Sequence, residues 1–62
     1  MCLSAVYEVS EGAERLVCER AATVSAGDGL ITLTDIMGKE LVLSGALRSI
    51  DLVKNIIKID RG

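Results

Sequence analysis

Residues 27–45 read "GDGLITLTDIMGKELVLSG", and their alternation decides the fold class. In "LITLTDI", Ile31 and Leu33 fall on one face and Thr32 and Thr34 on the other, which is the period of a half-buried strand. β-Branched residues favour that pleated setting. "MGK" then turns the chain, and "ELVLSG" returns with Leu41 and Leu43 on the inward face. The stretch is a β-hairpin.

The same reading extends in both directions. Upstream, "SAGDG" marks a loop whose two glycines accept positive φ. Before it, "ERLVCER" over residues 14–20 puts Leu16 and Cys18 on one face and Arg15, Val17 and Glu19 on the other. "SEGAE" turns the chain out of a first strand over residues 2–9, with Leu3, Ala5, Tyr7 and Val9 inward and Ser4 and Glu8 outward. Downstream, "LRSIDLVKNIIKI" admits an amphipathic helix with Leu47, Ile50, Val53 and Ile57 in one stripe. Two strands turning at Lys54-Asn55 are preferred, because isoleucine is enriched, no glycine caps a helix, and asparagine suits a turn. The expectation is one all-β domain over residues 1–62, a small SH3-like barrel of five to seven short antiparallel strands. Closure into a barrel removes exposed strand edges.

Composition narrows what such a domain can do. Half of the 62 residues are apolar, yet there is no Phe or Trp and a single Tyr, so the core must be aliphatic. A chain this short buries only about 60% of its unfolded surface, and apolar content beyond that predicts self-association. The expected seam is the edge of the first strand or a face carrying Tyr7 and Val9. The net charge is −2, with acidic and basic residues interleaved. No basic stripe and no aromatic platform supports nucleic-acid binding. No apolar run approaches the ~20 residues of a membrane span, and the opening lacks the positive region of a signal peptide. These features predict a cytoplasmic protein with reduced thiols.

The absence of histidine removes the commonest general base and metal ligand. Metal chemistry must then use thiolate, carboxylate or backbone nitrogen. Glu8, Glu11, Glu14 and Glu19 cluster on the first hairpin and read as a solvated face rather than a catalytic pair, which needs a cleft to raise one pKa. "AGDGL" lacks the Lys-Ser/Thr of a phosphate loop. Cys18 reads as a small core hydrophobe.

Cys2 follows Met1 directly. The Met1 amine, the Cys2 amide nitrogen and the Cys2 thiolate can close fused five-membered chelate rings. If Met1 is removed, the Cys2 amine and thiolate still chelate as a pair. Such N/S donors suit planar Ni(II) better than tetrahedral Zn(II). One chain cannot complete four-coordination, whereas a two-fold dimer can. From residue chemistry alone the ligand role is the minority reading, because a cysteine in second position has no role in most proteins.

The opening "MCLSAVY", the stretch "GDGLITLTDIMGKELVLSGALRSIDL" and the closing "NIIKID" together resemble the CooT family of small nickel-binding proteins associated with maturation of nickel-dependent carbon monoxide dehydrogenase. The resemblance implies an SH3-like barrel, a homodimer, a non-enzymatic metallochaperone role and Cys2 as the nickel ligand. It also points to carbon monoxide dehydrogenase as the partner. Relatives often carry a histidine near Asn55, a departure that does not touch the Cys2 site. The alternative is an SH3-like RNA- or protein-binding module, whose nucleic-acid form the composition does not support.

Overall fold

A computed structural model describes residues 3–61. Six strands follow in order: β1 (Ser4–Ser10), β2 (Ala13–Gly27), β3 (Leu30–Asp35), β4 (Glu40–Ser44), β5 (Ala46–Asp51) and β6 (Ile56–Asp60). No described residue is helical, so the all-β expectation holds, as does the reading of the final segment as two strands. The strands form one sheet in the order β4-β3-β2-β1-β6-β5.

Two of the hairpins rest on two-residue loops, Glu11-Gly12 (φ 52° and 80°) and Asp28-Gly29 (φ 53° and 75°). Positive φ at both positions matches the right-handed twist of the flanking strands. The β3–β4 turn is locked by Asp35, whose Oδ1 accepts hydrogen bonds from the amides of Met37 and Lys39, both at 2.9 Å.

β2 bends the sheet. It carries an extra residue against its partners between the pairs at Ser4 and Val6, between those at Val6 and Tyr7, and again between Ala21 and Thr23. Each bulge increases twist and kinks the strand. β3 and β6 are separated in the sheet by β2 and β1, yet Ile31 and Leu33 pack with Val6, Ala21, Ile57 and Ile59 in a single core. The sheet is therefore folded over on itself. Its two edges, β4 and β5, are joined by Gly45 alone. That residue has φ 149°, and a Cβ there would stand 2.5 Å from the Asp60 carbonyl oxygen. Its amide donates to the Gly29 carbonyl at 2.9 Å.

Several expectations are corrected. The barrel is not closed, because β4 and β5 do not pair. The strands are not all antiparallel: β1 and β6 run parallel, with Val6 beside Ile57 and Glu8 beside Ile59. "SAG" at residues 25–27 belongs to the long β2 rather than to a loop. The inward face expected for β1 is only partly right: Val6 and Glu8 are buried, Val6 in the core cluster, and Tyr7 is half-buried, while Val9 is buried as expected. Val17 and Cys18 both pack against the core, because Val17 is the extra residue of the bulge between Leu16 and Cys18 and resets the alternation, and Leu16 is left exposed. The β3 assignment holds, with Ile31 and Leu33 buried; on the edge strand β4, Leu43 packs against the core as expected, whereas Leu41, expected inward, is exposed because no further strand covers that edge.

Candidate functional site

Met1 and Cys2, the residues singled out by the sequence, lie outside the described residues. What the structure defines is the end of the sheet from which β1 departs. Leu3 is half-buried, and β1 begins at Ser4, beside Ala21 of β2. On its other side the Ala5 amide donates to the Asn55 carbonyl at 2.9 Å. β1 is thus a central strand, and its edge is unavailable for pairing with another chain.

Two turns flank this start. Asn55 ends the β5–β6 turn with φ 57°, and Asp51 Oδ1 accepts from the amides of Val53 and Lys54 at 3.0 Å each. On the opposite side, the Ile36 amide donates to the Arg20 carbonyl at 3.1 Å, which holds the β3–β4 turn against β2. The two turns have similar sequences, "DIMGK" and "DLVK". In each an aspartate caps backbone amides and leaves two apolar residues at the tip. Val53 (92%), Met37 (86%) and Leu52 (82%) are the most exposed large apolar side chains described, and Ile36 is half exposed. Sequence reasoning placed the turns at "MGK" and Lys54-Asn55, leaving Ile36 and Leu52 in the flanking strands, and so did not register the apolar tips. The repeated aspartate followed by two hydrophobic residues was the available signal.

The other candidates separate clearly. Cys18, a free thiol, is half-buried against the core. It lines a cleft of about 470 Å³ floored by Val17, Leu33 and Leu41 and rimmed by Arg20 and Lys39. Glu8, read as solvated, is 6% exposed. Its carboxylate meets Arg15 at 2.7 Å and Arg61 at 3.4 Å. Burial is tolerated because both oxygens are charge-paired at the rim of the core. Glu14 pairs with Lys58 at 2.8 Å, and Glu11 and Glu19 are exposed. Among the described residues, no group of three or more Cys, His, Asp or Glu could hold a metal ion. Among the described residues no helix is long and apolar enough to cross a membrane.

The sequence profile of the family described as "CO dehydrogenase accessory protein CooT" matches residues 1–60. The chain belongs to the CooT family. Membership makes it an accessory protein for CO dehydrogenase rather than an enzyme in its own right. A solved structure of a CooT candidate from Carboxydothermus hydrogenoformans is similar across 98% of each chain, with a TM-score of 0.87 and 23% sequence identity. At that identity the likeness speaks to the fold: the open, folded-over sheet is a CooT fold. No curated protein matches the chain.

Proposed function

We propose that the chain binds Ni(II) as cargo for maturation of nickel-dependent CO dehydrogenase, through Cys2 at a site shared by two copies in the cytoplasm. The observation that carries this is the family match, which includes residues 1 and 2. Its support is chemical. Among the described residues no group of three or more Cys, His, Asp or Glu competes as a metal site. The Met1 amine, Cys2 amide and Cys2 thiolate supply at most three donors from one chain, whereas a planar d⁸ ion takes four. Two chains related by a two-fold axis complete the set. The family's accessory role supports CO dehydrogenase as the recipient.

Nickel titration of the intact chain, followed by thiolate-to-metal charge-transfer absorption and native mass spectrometry, tests the reading. One Ni(II) per dimer is expected, with affinity rising with pH until the thiol is ionised. Cys2→Ser should abolish the absorption band and leave the fold unchanged. Undiminished binding by that variant, or two metals per dimer, overturns the site.

A further inference from the structure

We propose that the free edge of β2 over residues 17–20, together with the cleft beside it, takes an extended segment of the CO dehydrogenase that this chain serves. The segment adds as a strand, sets an apolar side chain against Leu41 and brings a carboxylate to Arg20 and Lys39. The identity of the partner rests on the recipient proposed above, whereas the edge and the cleft are features of this chain alone.

β2 serves the sheet in two halves. Residues 13–21 pair with β1, and residues 21–27 pair with β3. Among the described residues, no strand therefore lies on the second side of β2 ahead of Ala21. One bond carries the β3 side a step further, from the Ile36 amide to the Arg20 carbonyl at 3.1 Å, and the pairing stops there. The bulges at Val17 and between Cys18 and Ala21 also leave residues out of the β1 ladder. Val17, Cys18, Glu19 and Arg20 all line the cleft, so the cleft runs along this unpaired stretch of strand. An open edge accepts a strand from another chain. Main-chain bonds then supply affinity, and pockets for alternate side chains supply specificity.

The cleft supplies such a pocket. Its volume of about 470 Å³ lies within the roughly 300–1,000 Å³ of sites that hold a ligand. Leu33 closes its floor, and Leu41 is 40% exposed in it. Charge says what the segment carries. Of the seven Lys and Arg side chains, Arg15, Arg48, Lys58 and Arg61 are held in ion pairs. Among the described residues, Arg20, Lys39 and Lys54 have no such partner, and two of these three line the cleft. The acids beside them do not answer them. Asp35 turns its Oδ1 to the amides of Met37 and Lys39, and Glu19 pairs with neither cation. Unpaired cations at the rim of an apolar floor complement a carboxylate next to an apolar side chain. A nucleic-acid strand fits less well, since no aromatic side chain lines the cleft for a base to stack on.

Titration calorimetry of the intact chain, with and without Ni(II), against purified nickel-free CO dehydrogenase tests the edge, alongside hydrogen exchange of the complex. Residues 17–20 should gain protection on binding, because their amides enter a new ladder. Arg20→Glu and Lys39→Glu should each weaken binding about tenfold or more, while Val42→Glu, outside the cleft, binds as the parent does. Circular dichroism and sedimentation should show all three variants folded and in the parent's oligomeric state. The exchange measurement needs only the parent chain, so it decides even where a variant fails to fold. Undiminished binding by both charge variants, or a complex in which residues 17–20 exchange as in the free chain, overturns the proposal. Charge variants that change oligomeric state together with enzyme binding would place the cleft in a contact between copies and equally overturn it. A parent chain that takes up Ni(II) but forms no complex overturns the docking and leaves the Cys2 site standing. A parent chain that forms the complex with the expected protection yet binds no Ni(II) removes the metal site and leaves the docking standing.

Discussion

The two ends of β6 differ in kind. At its C-terminal end Gly45 presses against Asp60, Arg61 continues the ladder with a 3.0 Å bond to the Val9 carbonyl, and Arg61 also reaches the buried Glu8. Backbone packs on backbone there, and charge is satisfied internally. At its N-terminal end Asn55 leads out of a turn whose tip, Leu52 and Val53, contacts little of its own chain. The first end is where the folded-over sheet is held together. The second leaves apolar side chains open to solvent. A chain of 62 residues has little apolar surface to spare, and its most exposed apolar side chains, Val53, Met37 and Leu52, stand on turns, apart from the end that holds the sheet together.

Substitutions can test that separation, beginning with the largest effect. Gly45→Ala places a Cβ where the Asp60 carbonyl already stands and demands a φ that L-residues rarely adopt. Strain and overpacking together should cost about 3 kcal/mol or more, a large share of the stability of a small domain. Urea denaturation should show loss of the folded baseline or a sharply lowered midpoint. A variant as stable as the parent would mean that the corner does not hold the sheet.

Next comes the charge triad. Removing both cations in the double variant Arg15→Ala/Arg61→Ala leaves Glu8 buried without a partner and should cost about 2–3 kcal/mol. Glu8→Gln should cost less, about 1 kcal/mol, because the two arginines are largely exposed and water can solvate them. The ordering is the point. Equal losses measured by chemical denaturation would show that the carboxylate is not effectively buried.

The smallest of these effects belongs to Cys18→Ser, in the cleft beside the β3–β4 turn. The side chain is half-buried, and the new hydroxyl can reach water, so the cost should be about 1 kcal/mol with nickel stoichiometry unaltered. Loss of nickel in this variant would move the metal site away from the chain start.

Much of the local structure was legible in the residues. Ile31 and Leu33 are buried where their alternation with Thr32 and Thr34 placed them. Asn55 turns the chain between two isoleucine-bearing strands, as its tolerance of positive φ suggests. Period and turn chemistry act over a few residues, so a single sequence carries them. The Met1-Cys2 opening was legible only as chemistry; its resemblance to CooT gave it a family, and the family match confirms that membership.

Other features were decided by contacts distant in sequence. Alternation in β1 defines two faces without saying which meets the core, and the answer depends on Ile57 and Ile59, some fifty residues later. Glu8 is buried because Arg61, 53 residues away, reaches its second oxygen. The parallel β1–β6 pairing and the unpaired edges depend on which strands the chain lays side by side, which no pattern within a single strand specifies. The sequence by itself determined an aliphatic all-β domain, its turns and the donor atoms of its opening, because these depend on neighbours along the chain. Which faces are buried, where the sheet stays open and which apolar tips flank the start of β1 were decided by the tertiary structure, because they depend on which strands the chain brings together in space.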